Sequence, residues 1–159
     1  MTLRGAGDCS VVLDFRTLPI VFSTWTGVPD IALVDAYFAA QTDASLLLRS
    51  RGDTIVMISD CRAMGRATPT TRQRIAEHTA AQRELYNQTM LGSCSVFSSA
   101  LVRGVVTALG WLDPGMRVPT FATLAAALAW ANETLVAAGV VAPRVDLDVV
   151  ERAGLTGRS

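Results

Sequence analysis

The chain contains no lysine: all 14 of its basic residues are arginine. That absence excludes lysine Schiff-base chemistry and a phosphate-binding loop of the lysine type. Histidine is almost as scarce, since His78 is the single one, and any Ser/His/Asp or Cys/His grouping would have to use it. The three cysteines, Cys9, Cys61 and Cys94, are odd in number, far apart and free of any C-x-x-C spacing. Neither a disulfide framework nor a structural zinc site is expected from them, and no motif asks for a cofactor. Excess charge is missing too, because 14 basic residues face 14 acidic ones. No global field then draws the chain to nucleic acid or to an anionic membrane, so recognition of an anion has to come from a local cluster. The first ten residues lack the apolar stretch of a secretory signal, and a reducing cytoplasm is the compartment expected.

What is present is a chain of 159 residues with 50% hydrophobic content, enough for one globular domain with a full core. Its nearest approach to a membrane span is the stretch from Val118 to Pro143. Burying Glu133 there at mid-bilayer would cost about 2.5 to 3.5 kcal/mol, with little leucine or isoleucine to offset it. A buried helix is the expectation, and no integral membrane segment.

Strand and helix periods alternate along the chain. Ser10 to Phe15 and Leu18 to Trp25 are rich in β-branched and aromatic residues, and only Arg16 and Thr17 separate them, which predicts a hairpin. Pro29 suits a first helical residue, and Ile31, Leu33, Val34, Tyr37 and Phe38 recur at helical spacing in a helix reaching about Arg49, with a kink near Thr42 and Asp43. Gly52 stops it, and Thr54 to Ser59 is a continuous apolar run of the kind buried on both faces of a sheet. Thr68 and Pro69 start a peripheral helix over Thr70 to Gln88. Gly92 to Ser98 predicts another buried strand, Leu101 to Leu109 a short helix, Val118 to Phe121 a brief strand, and Leu124 to Gly139 a final helix. The order describes an α/β single domain with a mixed, mostly parallel sheet of about five strands, an N-terminal hairpin and about four helices. The domain is expected over residues 1–142, with a short helical or irregular extension over 143–159.

Three stretches carry a family resemblance: Trp25-Thr26-Gly27 before the first helix, the run Ile55-Val56-Met57-Ile58 leading into Ser59-Asp60, and the closing Phe121, Ala127 and Trp130. In these the chain resembles the STAS-like proteins, related to anti-sigma-factor antagonists, over roughly Ser10 to Ala138. The resemblance implies a small bacterial regulatory protein that acts by binding other proteins and performs no chemistry. Anti-sigma-factor antagonists present a phosphorylatable serine in an Asp-Ser-Ser-Gly turn after the strand that ends here at Asp60. This chain reads Asp60-Cys61-Arg62-Ala63-Met64-Gly65, with the acid present and the serine replaced. Thr68, Thr70 and Thr71 are the nearby hydroxyls, and a threonine at a helix start is commonly a cap.

In open α/β sheets ligands settle outside the carboxyl ends of the parallel strands, where helix N-termini converge. Trp25 to Pro29, Asp60 to Thr71, Ser98 to Leu101 and Phe121 to Thr123 should meet there. Between Asp60 and Glu77 lie Arg62, Arg66, Arg72 and Arg74 with no acid among them. Their planar forks suit a carboxylate or phosphate; the alternative is that Arg72 and Arg74 lie on an exposed helix face, paired with Glu77 or solvated, while Arg62 covers apolar surface with its stem. The binding candidates are therefore Trp25, Asp60, Cys61, Arg62, Arg66, Thr70, Thr71, Arg72, Ser98 as a helix cap, and Arg103.

Two other classes stand beside protein binding. One is a carrier or sensor of a small anionic or amphipathic ligand at the same edge. The other is a cysteine enzyme built on Cys61, for which His78 lies roughly 13 Å along its helix from Pro69, too far for a general base. Trp111 and Trp130 read as core or interface anchors, and a homodimer is compatible with the apolar content.

Overall fold

The sheet forms because alternate residues of its strands meet two different apolar layers. In the computed structural model, which describes residues 1–104 and 118–152, six strands are hydrogen-bonded in sequence order. They are β1 (Thr2–Arg4), β2 (Ser10–Asp14), β3 (Ile20–Gly27), β4 (Ile55–Met64), β5 (Met90–Val96) and β6 (Thr120–Phe121). The pairs β1–β2 and β2–β3 are antiparallel, and β3 through β6 run parallel. The helices are α1 (Ile31–Arg51), α2 (Pro69–Ala81), α3 (Arg83–Thr89), α4 (Leu124–Ala137) and α5 (Leu147–Arg152), and residues 100–104 are also helical.

Ile20 and Phe22 of β3, Val56 and Ile58 of β4, and Cys94 and Val96 of β5 pack under Leu124, Leu128 and Leu135 of α4. On the opposite face Val11, Leu13, Trp25 and Cys61 pack against Leu33, Val34, Tyr37 and Phe38 of α1. Helix α1 is long and apolar enough to cross a membrane by length and composition, and seven of its residues, from Leu33 to Leu48, are buried inside the protein. The stretch around Glu133 folds as the 14-residue helix α4, one face of which is in the core. Beyond it, the Asn132 amide donates to the carbonyls of Leu128 and Val145 at 2.7 Å each and accepts from the Val145 amide at 3.1 Å. Val145 and Val150 join the α4 cluster, so the segment past Pro143 packs on the domain.

The class agrees with the sequence reading, and three details differ. Strand β1 goes beyond the five expected and adds a second antiparallel pair. Its three residues carry one half-buried apolar side chain, Leu3, too little to show a period. The helix expected over Thr70 to Gln88 is two, broken at Gln82 (φ −103°, ψ 4°). From α3 the Tyr86 hydroxyl donates to Gln41 of α1 at 3.0 Å and also to Gln82, which gives the turn its partners. Finally, β4 continues to Met64, so Asp60 to Met64 belong to the sheet and not to the loop expected there. Helix α1 is continuous through Thr42, whose hydroxyl donates to the Phe38 carbonyl at 2.7 Å. Trp111 and most of the helix expected up to Leu109 lie outside the described residues.

Candidate functional site at the carboxyl edge

Four connections leave the carboxyl ends of the parallel strands, and each leads into a helix start. Asp30 caps α1 by accepting from the Leu33 amide at 2.7 Å, and it also accepts from the Ala6 amide. These backbone bonds, Leu33 first, hold its carboxyl below the usual carboxylate range. Thr68 caps α2 through the Thr71 amide at 3.1 Å, and Thr123 caps α4 through the Ala126 amide at 3.3 Å. At residues 100–104 the cap is Ser99, which accepts from the Val102 amide at 3.4 Å, and Ser98 beside it stands exposed. That corrects the expected cap, because Ser99 sits one residue nearer the first helical turn.

The β3 and β4 ends are fastened to each other. The Gly65 amide donates to the Gly27 carbonyl at 2.8 Å, so the turn after β4 is tied to the sheet. Gly27 has φ +71°, and a Cβ there would stand 2.8 Å from the Asp8 carbonyl oxygen, so only glycine lets the β1–β2 connection close over it. Opposite Trp25 the β4 strand slips register by one residue between Asp60 and Ala63.

Within this bulge the charged groups neutralise one another. Arg62 donates Nε to Asp60 at 2.9 Å and its terminal nitrogen at 2.7 Å, and its amide reaches the same carboxylate at 3.2 Å. Asp60 is almost completely buried and Arg62 is 39% exposed, so the guanidinium closes a buried carboxylate off from water. Arg74 is occupied as well. It donates Nε to Asp35 of α1 at 2.7 Å and a second nitrogen to Glu77 at 3.2 Å. Of the alternative weighed from sequence, Arg74 makes the Glu77 pair, with Asp35 added, and Arg72 stays solvated. Of the four arginines, Arg66 and Arg72 are exposed, and among the described residues neither forms an ion pair or side-chain hydrogen bond.

Trp25 and Cys61, both candidates from the sequence, are core residues. Trp25 packs edge-on against Tyr37 with centroids 4.7 Å apart, and Cys61 lies in the same cluster. Burial, helped by the Asp60 charge, pushes the Cys61 thiol up to about 12. A thiol so perturbed is protonated at neutral pH, opposite to what nucleophilic catalysis needs. His78 is elsewhere, stacked on Phe38 at 4.8 Å with Nε2 2.7 Å from Asp35. Thr71 is buried with its hydroxyl 2.8 Å from that of Thr68, whereas Thr70 is exposed. Arg103 turns inward and donates to the carbonyls of Phe97 at 2.7 Å and Ser98 at 2.9 Å, which ties down the β5 exit.

Sequence reasoning missed the polar line beneath the edge. Ser23 of β3 bonds Ser59 of β4 at 2.9 Å, and the phenol of Tyr37 on α1 lies close enough for both hydroxyls to act on it. Burial pushes the Tyr37 phenol up to about 12. The signal was a serine at the same register on two neighbouring strands, which is visible only once β3 is paired with β4. Sequence reasoning also passed over the exposed apolar pair Val28 and Ile31, which stands where β3 hands over to α1. Val28 packs over Gly65, whose neighbour is Arg66, so apolar and cationic surface adjoin at this edge.

No family model matches the chain, and no curated protein does. Among solved structures it is similar to an uncharacterized protein of the DUF3478 family with a SpoIIAA-like fold from Shewanella loihica PV-4. The TM-score is 0.58 at 11% identity, with 77% of this chain and 93% of that chain covered. The fold is therefore SpoIIAA-like. It is the STAS-like architecture that the sequence resembles, and at this identity the likeness speaks for fold alone.

Proposed function

We propose that the chain is a non-enzymatic regulatory or scaffold protein of bacterial signalling that holds a protein partner at the carboxyl edge of its sheet. The observation that carries this reading is the pairing of exposed Val28 and Ile31 with Arg66 and Arg72, the two arginines of this edge left uncompensated. Apolar side chains give a partner something to desolvate, and free guanidinium forks give it orientation. Beneath them the edge is stiff. Its thiol is buried, its carboxylates at Asp30 and Asp60 are engaged, and its helix ends are capped. A cleft of about 490 Å³ beside Leu18, Pro19 and Ile55 lies at the other end of the sheet.

A photo-crosslinking side chain at position 66, in cells of the native host, tests the reading. A defined protein captured there and not from exposed Glu133 is the expected result, and identical capture from both positions overturns it. Native mass spectrometry of freshly purified protein separates the second class. A co-purified small anion that is lost on Arg72→Ala would replace the protein partner by a ligand.

A further inference from the structure

The opposite end of the sheet carries a different surface. Where the chain enters β3 and β4, a cleft of about 490 Å³ is lined largely by apolar side chains, among them Leu18, Leu48, Ile55, Val141 and Pro143. Two of these project outward instead of closing the cleft: Leu18 is 51% exposed and Val141 is completely exposed. A fully solvated valine beside an apolar hollow forms a knob and a hole on one surface.

The charges on the rim are of both signs. Arg51 ends α1 and Asp53 follows Gly52 into the cleft wall; both are exposed, and among the described residues neither side chain makes an ion pair or hydrogen bond. A knob, a hole and one charge of each sign on the same surface are the elements that a two-fold contact between identical copies pairs. We propose that a second copy of this chain docks here about a two-fold axis. Val141 of each copy enters the other's cleft, and Arg51 of each copy meets Asp53 of the other. A small apolar ligand in the hollow would fit its volume but leave the outward face of Val141 in water, so the second copy accounts for more of the surface. This inference concerns the end of the sheet remote from Arg66 and Arg72 and stands independently of the partner proposed there.

Sedimentation velocity over micromolar to submillimolar concentration tests it, with an expected shift from the 16.9 kDa chain to twice that mass. Val141→Glu should raise the dissociation constant by roughly a hundredfold, as loss of a central interface anchor does. Because Val141 is fully exposed in the single chain, an unchanged melting curve is expected to show that the variant folds. Arg51→Asp and Asp53→Arg should each weaken the dimer by about tenfold, and the double exchange should restore it. A wild-type chain that stays monomeric throughout overturns the inference. So does a dimer indifferent to Val141→Glu, or a double exchange no better than the single ones.

Discussion

The two ends of the sheet solve the problem of their own exposure in opposite ways. At the carboxyl end, polar groups are consumed locally: three helix starts are capped by Asp30, Thr68 and Thr123, Asp60 is closed off by Arg62, and Gly65 is tied to Gly27. At the amino end Asp14 is held by Arg16 in the same way, but Leu18, Val141, Arg51 and Asp53 all face solvent. Rigidity and availability are thus separated in space. The carboxyl end offers a few free groups on a fixed frame, and the amino end offers an open apolar surface whose groups are not needed by the fold.

The comparison can be broken most severely by alkali. Tyr37, Cys61 and Cys94 are each pushed up to about 12 by burial, Tyr37 and Cys61 in the layer beneath the carboxyl end. An acid whose native value is raised loses its proton first in the unfolded chain, so stability is full below the ordinary thiol value of 9.0 and falls as pH rises from there toward 12. Urea titrations across that window should show the loss, and Cys61→Ala should reduce its slope. The corresponding kinetic test is alkylation near neutral pH, where Cys61 should react more slowly than a free model thiol; equal reactivity would restore the nucleophile reading.

Next in size is Gly27→Ala. Positive φ and a Cβ 2.8 Å from the Asp8 carbonyl should together cost about 2 to 4 kcal/mol in denaturant unfolding. Asp60→Ala should follow at about 1 to 3 kcal/mol, since it strips a half-buried guanidinium and a backbone amide of their acceptor. Asp60→Asn should recover part of that. The smallest effect belongs to the amino end. Leu18→Ser should leave the unfolding free energy of the monomer within about 0.5 kcal/mol of wild type. A large loss there would show that the amino end supports the fold after all and would erase the contrast.

Much of the fold was legible because its central strands announce themselves. The unbroken run Ile55-Val56-Met57-Ile58 is buried on both faces, and Gly52 with φ +71° ends α1 where the sequence stops it. What stayed hidden depended on pairing. A three-residue strand such as β1 exists only because β2 accepts it, and β4 outruns its apolar pattern because Asp60 and Arg62 satisfy each other within the sheet. Of the ten candidate site residues, sequence order placed most near the right edge, but it could not show which were already engaged. Arg62 and Arg103 looked like free cations and are bonded at home; Trp25 and Cys61 stood among the binding candidates and are core. Arg66, Thr70, Arg72 and Ser98 remain the accessible members with no side-chain partner among the described residues.

The Asp60–Arg62 contact has a counterpart in Asp14–Arg16, where the carboxylate at the end of β2 again holds the arginine two residues on by amide and guanidinium together. In both, the counter-ion is separated from its acid by a single residue of chain. Asp35 differs, because its partners, Arg74 and His78, arrive from 39 and 43 residues away. Loop closure over two residues is nearly free, and over forty it is not. Each of these two carboxylates therefore brings its own counter-ion into the sheet, so burial of Asp14 and Asp60 need not wait for distant chain. The α1–α2 contact at Asp35 needs the longer loop closed before it can form.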